Sequence, residues 1–102
     1  MYVIVCTYRA RAGQEDAIVA LHESWERDQR TRITGYLSGE LLCVPQDPRR
    51  FMDIARYDSA AMAQAAASDP ENIAWQQRLA SLTEEGMLGG EYRCIWRSDD
   101  RR

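Results

Sequence analysis

Residues Gly35–Ser59 read GYLSGELLCVPQDPRRFMDIARYDS, and the fold turns on them. Two strand-like runs flank a short connection, Val44-Pro45-Gln46-Asp47-Pro48-Arg49. Side chains alternate across a strand with a period of two. That period puts Tyr36, Ser38, Glu40, Leu42 and Val44 on one face of the first run, and Leu37, Gly39, Leu41 and Cys43 on the other. The second run divides into Phe51, Asp53, Ala55 and Tyr57 against Met52, Ile54 and Arg56. Proline has no amide hydrogen for a ladder, so the turn is expected between Pro45 and Pro48, with a loop of about four to six residues. Both faces of both runs carry large apolar groups, whereas a sheet with one wet face alternates apolar and polar. Each face therefore needs a cover.

Before the hairpin, Tyr2–Arg9 is β-branched and aromatic, a first strand. From Gln14 to about Asp28, Ile18, Leu21 and Trp25 recur at helical spacing, with Glu15 and Asp16 in the first turn, where the helix dipole favours acids. Arg27–Thr34 is a polar connection. After the hairpin, Ser59 can cap a short helix, Ala60–Ala67. Ser68-Asp69-Pro70-Glu71 restarts a helix that runs to about Thr83. Gly86–Gly90 reads as a turn and Glu91–Arg97 as the last strand. The order is β-α-β-β-α-β, a ferredoxin-like α+β unit with a four-stranded antiparallel sheet. It is expected as one domain over residues 1–98, followed by a charged tail, 99–102, that frays. Helices can cover one face of such a sheet. The other face, with Met52 and Ile54, is expected to meet a second copy sheet to sheet in an isologous homodimer.

Composition removes several classes of function. The net charge is −3, which gives no footprint for nucleic acid. No apolar run approaches a membrane span and no signal-peptide pattern opens the chain, so a cytoplasmic location is expected, without membrane partners. All 13 basic residues are Arg. A Schiff-base lysine and a Walker A lysine are therefore impossible. Cys6, Cys43 and Cys94 sit singly in apolar runs and read as small buried hydrophobes. With the lone His22 they make none of the usual zinc sets, and no metal or other cofactor is expected.

Gly35-Tyr36-Leu37-Ser38-Gly39-Glu40-Leu41, Arg50-Phe51, Arg56-Tyr57-Asp58-Ser59 and Ser68-Asp69-Pro70 resemble the antibiotic biosynthesis monooxygenase domain. The resemblance implies a dimeric α+β barrel. It also implies one of several activities found in that family, among them cofactor-free oxidation of anthrone-type polyketides to quinones, and heme breakdown. The heme degraders' strand-one Asn, helix-two Trp and axial His fall here at Cys6, about Ala65 and Trp75, all changed, which argues against heme. The anthrone oxygenases' strand-three Asn and Trp fall at Asp53 and Tyr57, and a helix-three Arg falls near Gln76. Their site is therefore not carried over intact.

Cofactor-free oxidation by molecular oxygen needs a base, donors for a developing oxyanion and a dry cavity. Asp53, on one strand face with Phe51, Ala55 and Tyr57, is the first candidate base; apolar surroundings strengthen a carboxylate in that role. Tyr57 is a candidate donor and His22 a candidate base or proton shuttle. Tyr36, Phe51, Asn72, Trp75 and Gln76 are candidates for binding a small planar aromatic substrate, the last three being neighbours at i, i+3, i+4. The leading expectation is a cofactor-independent monooxygenase acting on an aromatic polyketide or polyphenol. A cyclase or isomerase using the same cavity, and a non-catalytic ligand-binding dimer, are the alternatives.

Overall fold

The elements are β1 (Tyr2–Arg9), α1 (Glu15–Asp28), β2 (Tyr36–Val44), β3 (Asp47–Tyr57), α2 (Ala60–Ala67), α3 (Pro70–Ser81) and β4 (Leu88–Arg93). The computed structural model describes residues 1–98, and the tail expected to fray, 99–102, lies outside them. The strands form one antiparallel sheet in the order β2-β3-β1-β4, the ferredoxin-like arrangement expected from the sequence.

Local signals account for the helix starts. The Ser59 hydroxyl accepts from the Met62 amide to cap α2. Asp69, one residue beyond Ser68, caps α3 by accepting from the Asn72 amide, with Pro70 at the first helical position. Arg32 pairs with the same Asp69 carboxylate, which holds that group low, at about 2. The polar connection after α1 contains a short 3₁₀ turn, Arg30–Arg32.

Register sorts the side chains. Tyr8 lies opposite Phe51, Cys6 opposite Asp53, Ile4 opposite Ala55 and Tyr2 opposite Tyr57. This is the face that meets the helices, and its fully buried centre includes Tyr8, Ile18 and Leu79. The expected faces of β3 are therefore the observed ones. In β2 the simple alternation fails. A register shift between Tyr36 and Ser38 puts Tyr36 on the helix side with Gly39 and Leu41, and Ser38, Glu40 and Leu42 on the opposite side. The hairpin loop is also shorter than expected. β2 ends at Val44 and β3 starts at Asp47, which pairs with Val44, so Pro48 lies inside β3. A second irregularity, between Cys43 and Val44, leaves Pro48 in a bulged stretch where its missing amide hydrogen is not needed. β4 begins at Leu88 and ends at Arg93, so Gly89 and Gly90 are strand residues, opposite Cys6 and Val5, and form no turn.

Among the described residues, none covers the other face of the sheet. Leu42, Met52, Leu88 and Tyr92 are exposed there, with Val3, Val5 and Ile54 half-buried among them. Just past β4, Ile95 and Trp96 are 85% and 80% exposed. No helix among the described residues is long and apolar enough to cross a membrane.

Candidate functional site

Two hollows open between helices and sheet. The first, about 370 Å³, lies under α1 and α3 against β2 and β3. The second, about 520 Å³, lies under α2 and α3 against β1 and β4. They meet at a shared wall made of Asp53, Ala55, Tyr57, Asn72 and Gln76.

Asp53 reaches that wall because the odd residues of β3 face the helices. Its Oδ2 lies 2.9 Å from Nε2 of His22 on α1. The other imidazole nitrogen, Nδ1, lies 2.9 Å from the Ile18 carbonyl, one turn earlier on the same helix. A carbonyl can only accept, so Nδ1 carries a hydrogen and donates. The Nε2–Oδ2 contact then needs a second hydrogen between its two atoms. With a hydrogen on both ring nitrogens, His22 closes both contacts as an imidazolium that donates to Ile18 and to Asp53. Burial pulls the His22 pKa down, but the Asp53 hydrogen bond and charge and the Ile18 carbonyl together outweigh it, and the value is raised above 6.5.

A raised histidine value has a defined effect on stability. The pairing contributes fully below pH about 6.5, where the histidine is charged in both folded and unfolded chains, and is lost as pH rises through the higher folded-state value. Urea unfolding of the wild type and His22→Phe across this range is expected to give a stability difference that shrinks with rising pH. A difference that grows with pH would rule out the pairing.

Aromatic rings frame the first hollow. Trp25 and Tyr36 have centroids 4.6 Å apart, Tyr36 and Tyr57 meet edge-on at 5.6 Å, and the His22 ring stands edge-on to Trp75 at 4.9 Å. Tyr36 covers Gly39 so closely that a Cβ there would lie 2.2 Å from its hydroxyl oxygen. Burial pushes the Tyr36 phenol up to about 12, and burial with the Asp53 charge raises that of Tyr57, so both stay protonated donors at neutral pH. The indole of Trp75 donates to the Leu21 carbonyl at 2.9 Å, which fixes its plane.

The residues expected from sequence separate at this point. Asp53, His22, Tyr57, Tyr36, Trp75, Asn72 and Gln76 all line the first hollow. Phe51 does not. It is buried two residues nearer the hairpin, 5.8 Å from the Tyr8 ring in the solid part of the core. Asn72 lines both hollows, but its amide is already engaged. Oδ1 accepts from the Trp25 indole at 2.9 Å and Nδ2 donates to the Ala66 carbonyl at 3.0 Å. It ties α1 and α2 to α3, so its amide is a structural link more than a free hand for substrate. Sequence reasoning missed Trp25 as a wall residue, although its position three residues after His22 puts both on one helix face.

Residues 1–78 match the family model for antibiotic biosynthesis monooxygenases. The chain belongs to that family. Solved structures share the fold across almost all of it. SnoaB, a cofactor-independent oxygenase from Streptomyces nogalater, superposes with a TM-score of 0.79 at 13% identity, over 97% of each chain. Rv0793 from Mycobacterium tuberculosis gives 0.79 at 13% identity, over 96% of this chain and 98% of that one. A Shewanella oneidensis protein gives 0.74 at 22% identity, over 89% and 87%. At these identities the likeness establishes the fold alone. No curated protein sequence matches the chain significantly. Within the family fold, then, this member carries a histidine–aspartate pair in the wall of an aromatic-framed cavity.

Proposed function

We propose that the protein is a cofactor-independent monooxygenase that converts an anthrone-type polyphenol to a quinone. The observation that carries this reading is the Asp53–His22 pair set among Trp25, Tyr36, Tyr57 and Trp75. Family membership and the fold shared with a cofactor-independent oxygenase support it. The substrate ring lies among these aromatic side chains, with its activated methylene toward Asp53. Asp53 removes one methylene proton, and the Tyr57 hydroxyl donates to the phenolate oxygen on which the charge collects. That electron-rich anion passes one electron to molecular oxygen. Recombination of the radical with superoxide forms the carbon–oxygen bond, and the His22–Asp53 pair protonates the peroxide. Loss of the second methylene hydrogen with cleavage of the O–O bond leaves the carbonyl and one water. One oxygen atom enters the quinone and the other leaves as that water.

Incubation of protein treated with chelator with 1,8-dihydroxyanthrone tests this reading. Under oxygen, quinone is expected well above the spontaneous background, and under nitrogen none is. Background rates with a series of anthrones would overturn the oxygenase reading. A new product formed equally without oxygen would replace it with a cyclisation or isomerisation.

The uncovered sheet face belongs to the same reading. An apolar face of this extent is more than a monomer ordinarily leaves to water. A second copy of the chain, laid on it about a twofold axis, covers it on both protomers at once. Leu42 and Met52 are cross-strand partners on that face. The double variant Leu42→Glu/Met52→Glu puts four carboxylates on that face in a dimer, and light scattering is expected to read the wild type as dimer and the variant as monomer. A monomeric wild type at the same concentration would remove this assembly.

A further inference from the structure

The two hollows differ in lining. The first is aromatic. The second, beyond the shared wall, is lined mainly by Ile4, Ala63, Ala67, Leu79, Gly89 and Gly90, small or aliphatic, with the exposed Gln64 and Glu91 completing it and the Glu91 carboxylate already accepting from the Tyr2 hydroxyl. Among the described residues its one aromatic side chain is the shared Tyr57. Glycine in a strand interior is destabilising relative to alanine and usually marks a place where something approaches closely. For Gly90 the reason lies within the chain, since a Cβ there would come within 3.0 Å of the Tyr92 ring on the open face. Gly89 has no such reason. A Cβ there meets only the Val5 carbonyl oxygen, at 3.9 Å. Gly89 lies opposite Cys6, whose own partner across β1 and β3 is Asp53, so a side chain at 89 would project into the second hollow. Its absence keeps that hollow open. The burial-raised thiol of Cys6 is a neutral part of the same floor.

We infer that the second hollow is a subsite for an aliphatic substituent, so that the substrate is a hydroxylated aromatic ring system bearing an alkyl chain. The inference rests on the reading of the first hollow as the aromatic site. The ring system occupies the aromatic hollow, and the chain passes the shared wall at Ala55 into the space beneath α2. A carboxylate and a histidine then sit at the junction of ring and chain, beside the position to be deprotonated.

Calorimetric titration with resorcinol and its 4-ethyl, 4-butyl and 4-hexyl derivatives tests this. Each methylene buried in an apolar subsite is worth about 0.8 kcal/mol, or close to fourfold in Kd. The wild type is expected to bind each longer member more tightly, approaching that factor per methylene. Gly89→Leu projects a side chain into the hollow from a Cβ whose nearest neighbour is the Val5 carbonyl oxygen at 3.9 Å, and Ala67→Phe enters it from the exposed end of α2. In both variants the ratio of hexyl to parent affinity is expected to collapse toward one. An equal ratio in wild type and both variants, or no gain with chain length in the wild type, would overturn the subsite and leave the aromatic hollow standing. Failure of every member to bind would remove the subsite and the aromatic site together. Dihydroxyanthrone turnover with no chain-length effect would separate the two claims, sinking only the subsite.

Discussion

Asp53→Asn is expected to lower anthrone turnover by about 100- to 10,000-fold, the span associated with losing a positioned general base. The substitution keeps the shape of the side chain. An asparagine amide can donate to the Nε2 lone pair of a His22 that still holds its Nδ1 hydrogen for the Ile18 carbonyl, so the pair's geometry survives. What disappears is the group that accepts a carbon-bound proton. The loss should therefore fall on turnover, with affinity for the substrate changed little. His22→Gln should cost less, because it leaves the carboxylate in place and removes the group that protonates the peroxide. Two measurements decide this: single-turnover quinone formation, and binding of the substrate under nitrogen. Asp53→Asn turning over at the wild-type rate would move the base elsewhere in the cavity. A loss confined to binding would make Asp53 a holding group with no part in the proton transfer.

Much of this site was legible in the residues before any coordinate. The period of two placed Asp53, Ala55 and Tyr57 on one face of β3, and the structure keeps them there. Helical spacing put Asn72, Trp75 and Gln76 together, and all three reach the first hollow. What failed did so for identifiable reasons. Periodicity is local and assumes regular pairing, so the bulge that turns Tyr36 inward with Gly39 could not be counted out of β2. Gly89-Gly90 carries the signature of a turn, and only pairing with β1 makes it strand. Phe51 has the right face and the wrong depth, because face is set by the strand while depth depends on which helix lies overhead. His22 and Asp53 were each visible as titratable groups. Their pairing was not, since nothing in the sequence fixes how far α1 slides along β3.

Asn72→Leu is expected to destabilise the fold by about 2–4 kcal/mol, although leucine is of similar size and more apolar. Asn72 is 6% exposed and spans three helices, with Trp25 on α1 below and Ala66 on α2 beside it. The Ala66 carbonyl keeps the Asp69 amide at 3.2 Å when the Asn72 donor is gone. The Trp25 indole hydrogen keeps nothing. Trp25 is 9% exposed, and an orphaned buried donor costs about 1–3 kcal/mol beyond the bond itself. Removing the second partner should therefore restore part of the stability. Trp25→Phe in the Asn72→Leu background deletes the orphaned N–H and leaves an apolar ring against an apolar side chain. The double variant is expected to be less destabilised than the two single effects added together, with an interaction energy of about 1–2 kcal/mol by urea unfolding. Simple additivity would mean that the two groups do not act on each other in solution, and that α1 is held over the cavity by the His22–Asp53 pair, the Trp75–Leu21 bond and apolar packing. The same cycle bears on the site. The link to Asn72 fixes the position of Trp25, and with it the aromatic wall that Trp25 shares with Tyr36. Loss of substrate affinity is accordingly expected in Asn72→Leu even at temperatures where the variant is fully folded.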